Sequence, residues 1–191
     1  MNGHERQKEQ SRQMIENAFF ELLREKEFSQ ITVSEIVKRA DVARRTFYRL
    51  YEKKESVIAV YFQNLCEEYK NGHAQIESYD LKQVAKDYFE FWYTQRDKLL
   101  AFYRAGLQDL LYYGISSAST EVIRSRIQDE QLRKMPEVEY FATYSVGGFI
   151  NLLIRWIEKG MEGTPQEYAE VVSSAIIKVI SGRKNDERNL L

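Results

Sequence analysis

Apolar residues recur at three- and four-residue steps along almost the whole chain, the pattern of helices that each bury one face. Met14, Ile15, Ala18, Phe19, Leu22 and Leu23 define a first helix over about 5–26, closed by Phe28. Thr32 followed by Glu35 has the T-x-x-E spacing in which each side chain caps the other's backbone N–H. The helix opening there buries Val33, Ile36, Val37 and Ala40. It stops near Asp41, a residue that tolerates the left-handed backbone of a tight turn. Val42 then plugs inward. A third, short helix turns Phe47, Leu50 and Tyr51 to the core and Arg44, Arg45, Thr46, Tyr48 and Arg49 outward.

Six more helices follow from the same periodicity. One over about 54–70, with Val57, Ile58, Tyr61, Phe62 and Leu65 inward, links residues 1–53 to a larger unit over 54–191. The polar stretch 71–79 separates it from the next. Asp80 with Gln83 reads as an N-cap pair opening a helix to about Arg96, and an aromatic-rich helix over 97–113 ends at Gly114. Another covers about 117–128, with a polar loop up to Pro136. The helix over about 136–159 carries Gly147 and Gly148 in its middle. Each costs about 1 kcal/mol against alanine, a penalty consistent with another helix approaching closely. Gly163, Thr164, Pro165 and Glu167 announce the last helix, with Val172, Ala175, Ile176, Val179 and Ile180 as its stripe and a frayed, charged tail from Gly182. With two prolines, nine glycines and no alternating Val/Ile/Thr run, the fold class is all-α: three N-terminal helices and six C-terminal ones.

Charge sharpens the picture at one place. The 191 residues sum to -1, yet between Lys38 and Lys54 seven basic residues face two acidic ones. A nearly neutral protein with one basic patch fits a site-specific nucleic-acid binder better than a general polycation. The alternative is a solvated helical face. Two short helices joined by a tight turn, the second basic outside, describe a helix-turn-helix whose second helix enters the major groove. Other chemistry finds little footing. His4 and His73 lie in polar segments without nucleophile or carboxylate partners, so no catalytic set and no enzyme is expected. Cys66 reads as a small core residue, and no His/Cys spacing fits a metal. No cofactor is expected. A lone cysteine, a polar N-terminus and an apolar run (Val146–Ile157) too short to span a bilayer point to a soluble, cytoplasmic protein with no membrane partner.

The span 31–55 resembles the DNA-binding region of the tetracycline-repressor (TetR) family of bacterial transcriptional regulators. It has Ile31-Thr32-Val33, Ile36, Ala40, Val42, Thr46-Phe47-Tyr48, Tyr51 and Lys54-Glu55 at the family's spacing. Asp41 stands where the family has a turn glycine. Ala43 replaces its capping serine, a loss of about 1 kcal/mol. The pattern G-G-F-I-x-L-L-I-x-W-I-x-x-G-M-x-x-T-P-Q-E, from Gly147 on, resembles the last two helices of a branch common in Firmicutes. The resemblance implies an effector-responsive repressor, acting as a homodimer on double-stranded DNA with a palindromic operator. A dimeric helical module that docks on protein and has lost DNA binding is the alternative.

The resemblance also assigns residues. Arg44 and Arg45 fall on base-reading positions, where an Arg fork matches guanine O6 and N7. Thr46 and Tyr48 fall on hydroxyl-bearing contact positions, with packing against Lys54 or the first helix as the other reading of Tyr48. Arg49, Thr32, Ser34 and Lys54 are placed to meet phosphates, and Arg6, Lys8 and Arg12 form either an arm or a solvated helix start. Tyr88, Trp92, Phe102, Tyr103, Tyr112 and Tyr144 are the aromatic residues that either fill the core or line a pocket for a small lipophilic or aromatic effector. Gly148, Leu152, Trp156, Val172, Ile176 and Val179 are expected at the dimer interface.

Overall fold

Every regular element of the computed structural model, which describes residues 3–73, 80–126 and 134–186, is helical. The order is α1 (Gly3–Glu25), a 3-10 turn (Phe28–Gln30), α2 (Val33–Arg39), α3 (Arg44–Leu50), α4 (Lys54–His73), α5 (Leu81–Thr94), α6 (Arg96–Arg104), α7 (Gln108–Arg126), α8 (Pro136–Glu158) and α9 (Pro165–Asp186). Local chemistry sets many boundaries. Thr32 and Glu35 form the reciprocal capping box at α2, as Thr164 and Glu167 do at α9. Asp41 takes the left-handed conformation at φ 50°, and Ala43 stands at the N-cap of α3 without a side-chain bond to it.

Several boundaries depart from the sequence expectation. The helix expected over 97–113 is two helices, broken at Gly106. There Gly106 N–H donates to Tyr103 O and Leu107 N–H to Phe102 O, a Schellman stop with glycine at φ 73°. Gly114, expected to end that helix, lies inside α7. A Cβ there would sit 2.4 Å from the Phe62 ring, so glycine lets α7 close onto α4. Asp80 caps Lys82 N–H, while the Gln83 amide reaches Asp87 instead. The loop expected before Pro136 falls largely on 127–133, outside the described residues, and α9 continues past Gly182 to Asp186.

One hydrophobic cluster runs from Ile15 on α1 to Val172 on α9. α6 lies against α1, α4 along α7, α7 along α8, and α5 along α9. The junction behind the short helices is aromatic: Phe20 meets Tyr61 at 5.0 Å and Phe102 at 5.1 Å between ring centroids. Lys98 of α6 pairs there with the buried Glu16 of α1, its ammonium over the Phe20 and Tyr61 rings. α2 and α3 thus ride on α1, and α1 is gripped by α4 and α6.

Candidate nucleic-acid interface

α3 presents a polar face because its apolar residues are used on the other side. Phe47 is fully buried and Leu50 half-buried, while Arg44, Arg45, Tyr48 and Arg49 are exposed. Arg44 is held in place. Its guanidinium donates to Ser34 Oγ at 3.4 Å and to the Tyr48 hydroxyl at 3.3 Å, and lies 5.6 Å from the centre of the Tyr48 ring. Tyr48 is half exposed and packs edge-on against Phe47, so it supports Arg44 rather than resting on Lys54 or α1. Arg45, Arg49, Lys38 and Lys53 are exposed and enter no ion pair among the described residues.

Three of the expected contacts are engaged differently. Thr32 Oγ1 accepts from Glu35 N–H and donates to the Glu35 carboxylate, so its hydroxyl is used in the cap. Thr46 is half-buried, with less reach than its neighbours. The Lys54 ammonium, expected at a phosphate, donates to the carbonyls of Phe28 at 2.7 Å, Ile31 at 2.8 Å and Ser29 at 3.3 Å. It also lies 4.4 Å from the centre of the Phe28 ring. The 3-10 turn gathers those carbonyls, and the first residue of α4 closes on them. Lys54 therefore ties α4 to the segment entering α2.

Two ion pairs fix the flank of α2. Arg39 makes a bidentate contact to Glu25 of α1 at 2.6 and 2.8 Å, which removes it from the free basic patch. Lys26 pairs with Glu35; that bond, with those from Thr32, pulls the Glu35 carboxyl down to about 2. The Arg39 bond likewise holds Glu25 below its ordinary range. The sequence carried no signal for either pair, since the partners lie 9 and 14 residues apart, with the 3-10 turn between them.

The six aromatic residues expected at a pocket do not share one. Tyr88 and Trp92 are buried together on α5, with ring centroids 6.2 Å apart. Phe102 is buried at the α1–α4–α6 junction and Tyr103 is half-buried. Tyr112 and Tyr144 are exposed, Tyr144 at 83 %. A cleft of about 900 Å³ lies between the end of α1 and α6, and one of about 420 Å³ between α4 and α7; none of the six lines either.

The residues expected between subunits also divide. Trp156 is 2 % exposed, stacked on Tyr168 at 4.7 Å and on Tyr93 at 5.5 Å, with its indole N–H donating to Glu162 O. It belongs to the chain's own core, as does the buried Val172. Leu152 and Ile176 are half-buried. Gly148 and Val179 are exposed, and a Cβ at Gly147 or Gly148 would meet nothing within 4 Å, so no helix among the described residues approaches there. Tyr140, Phe141 and Val171 are exposed as well; the first two lie four and three residues before Tyr144 and share its face of α8.

A helix-turn-helix with exposed cations on its second helix, mounted on a larger helical body, defines a DNA-binding transcriptional regulator. Comparison with known proteins narrows the class. Residues 17–60 match the family model of bacterial regulatory proteins of the tetR family, and residues 79–178 match its model of a transcriptional regulator C-terminal region. The chain belongs to the TetR family of transcriptional regulators. An uncharacterized HTH-type transcriptional regulator of Bacillus subtilis (strain 168), YxbF, is 24 % identical over 170 residues. That match takes in 83 % of this chain and 42 % of YxbF, so the chain spans less than half of that relative. The fold is shared with the dihydroxyacetone kinase operon activator DhaS (TM-score 0.61, 18 % identity, 88 % of this chain and 97 % of that one). It is shared too with a TetR regulator from Streptococcus agalactiae 2603V (TM-score 0.58, 20 % identity, 91 % and 97 %). No helix among the described residues is long and apolar enough to cross a membrane.

Proposed function

We propose that this regulator acts as a homodimeric, effector-responsive repressor on a roughly palindromic operator. The observation that carries the reading is Arg44, exposed at the start of α3 and steadied by Ser34 and Tyr48, with Arg45 and Arg49 unpaired beside it. A guanidinium fixed in this way loses little freedom on meeting a guanine edge, so it reads sequence rather than charge. Arg45 is the second base reader. Arg49, Lys38 and Lys53 are free to neutralise phosphates, and Lys54 places the segment entering α2 rather than touching DNA. The exposed apolar side of α8 and α9, with Tyr144, Gly148 and Val179, supports pairing with a second copy, bordered by Leu152 and Ile176. Two recognition helices about 34–36 Å apart, or a multiple of that, would then meet successive major grooves. Of the six aromatic residues, Tyr88 and Trp92 are the two left as an effector site. Binding there would favour a conformation whose recognition helices no longer match the grooves.

Selection of bound DNA from a random pool gives the operator, and the Arg44→Ala variant tests the reading on it. The variant should relax preference at one base pair in each half-site, at a cost of about 1–3 kcal/mol, with binding to unrelated DNA unchanged. Unaltered base preference would overturn the assignment. A promoter fusion carrying the selected site reports the sign of regulation: repression supports the reading, and activation, the role in DhaS's name, replaces it.

A further inference from the structure

Beside one oxygen of Asp87 and the Nε of Arg96, three neutral polar groups in the interior of the larger helical body have hydrogen-bonding capacity that the described residues do not use. The Tyr88 hydroxyl, the Trp92 indole N–H and the Ser119 hydroxyl are all buried, and none finds a hydrogen-bond partner among the described residues. Tyr88 and Trp92 stand one helical turn apart on α5. Tyr69 of α4 lies against both rings, at 6.3 and 6.4 Å between centroids, and Phe149 of α8 lies 5.1 Å from Tyr88. From α7, Ser119 sits beside the phenol closely enough to ease its ionisation, although burial dominates and pushes that hydroxyl well up. Neither oxygen completes a hydrogen bond with the other.

An unused donor in a protein interior forfeits its hydration with nothing in return, and native interiors rarely hold one without a bound water, a ligand or a functional reason. Two such groups one turn apart, with a third facing the first, form a constellation. The chemistry of the set defines what would complete it. Phenol, indole and alcohol are all neutral, and the indole can only donate. Their complement is therefore an uncharged acceptor such as a carbonyl oxygen. The surrounding rings of Tyr69 and Phe149 suit a flat apolar body.

We infer that Tyr88, Trp92 and Ser119 form the effector site, and that it opens for a small aromatic molecule carrying an uncharged hydrogen-bond acceptor. The inference rests on the effector-responsive part of the proposed function. Because Tyr69 of α4 is one wall, a molecule entering there displaces the helix whose first residue, Lys54, holds the segment before α2.

The test is indole N–H resonance spectroscopy on the full chain, which has two tryptophans. Trp156 already donates to Glu162 O and is the internal control. The probes are acetophenone, ethylbenzene (the same outline without the acceptor) and benzoate (a charged acceptor). Acetophenone should shift the Trp92 signal saturably, leave Trp156 in place, and bind about tenfold tighter than ethylbenzene or benzoate. The Tyr88→Phe/Ser119→Ala double variant should erase the preference for acetophenone over ethylbenzene while ethylbenzene still binds. Without any probe, Tyr88→Phe alone should keep or raise Tm, because it removes an unpaired hydroxyl. Equal binding of acetophenone and ethylbenzene, no shift with any probe, a Trp92 signal that reports an undisplaced water, or a Tm lowered by Tyr88→Phe would each overturn the inference. Operator binding by the probe-free chain is measured in parallel. Its loss counts against the proposed function, whereas intact operator binding with no probe response counts against this site.

Discussion

Around α2 and α3 four charged side chains are fixed by partners within the chain: Arg39 by Glu25, Lys26 by Glu35, Lys54 by three carbonyls, Arg44 by Ser34 and Tyr48. Among α5, α7 and α8 the large side chains are rings packed on rings, and the polar groups of Tyr88, Trp92 and Ser119 are left over. The contrast fits the two tasks of the proposed function. Reading a base edge needs a donor held within a few tenths of an ångström, so directional bonds serve it. A conformational response needs an interior with more than one packing of similar energy, and aromatic contacts are broad enough in geometry to permit that.

The strongest way to sharpen the comparison is Trp156→Ala. If this tryptophan is part of the core, as its stack with Tyr168 and Tyr93 indicates, the variant loses about 3–5 kcal/mol. The loss should appear as a lower denaturation midpoint, by the same amount at every protein concentration. An interface residue would behave otherwise: its removal would lower the self-association constant and make the midpoint depend on concentration. Unfolding by denaturant across a hundredfold range of protein concentration separates the two outcomes.

How far each region could be read beforehand follows from the range of its signals. The capping boxes at Thr32 and Thr164, the turn at Asp41 and the exposed face of α3 are encoded within four or five neighbouring positions, and the structure places those elements as expected. The stop at Gly106 was also local. Arg104 in the last turn, Ala105 as C-cap, then glycine and leucine make the Schellman pattern, obscured by the apolar periodicity continuing on either side. Gly114 was misread for a different reason. The Phe62 ring that requires it lies on another helix, and nothing near position 114 announces that ring. Trp156 and Lys54 fall in the same group: the rings stacked on the one and the carbonyls around the other are 12 to 63 residues away, and helical periodicity shows which face is apolar but not which neighbour covers it.

Lys54→Met is the next largest effect and tests the reading head directly. Methionine keeps the apolar stem over Phe28 and removes the ammonium from three carbonyls, a cost of about 1.5–3 kcal/mol for hydrogen bonds to a charged group. The segment entering α2 then loses its tie to α4, so operator affinity should fall with the salt dependence unchanged. A direct phosphate contact predicts the opposite signature: a salt slope smaller by about 1 and stability little altered. Fluorescence anisotropy with labelled operator over a range of salt, beside thermal melts, decides between them.

The smallest effect belongs to Glu35, which is partly exposed and therefore screened. Its carboxyl is pulled to about 2, first by the Lys26 bond and then by the bonds from Thr32. An unfolded glutamate titrates near ~4.3. The folded value is the lower one, so the unfolded chain takes up the proton first as pH falls. The contribution of Glu35 to stability is then complete above about 4.3 and fades as pH drops towards about 2. Glu35→Gln isolates the charge, because glutamine still completes the capping box. The Tm difference between wild type and variant should stay constant from pH 7 to about 5, then close by about pH 2. A difference that ignores pH would mean that the carboxylate acts here only as a hydrogen-bonding shape, and that Lys26 does not hold α2 to α1 through its charge.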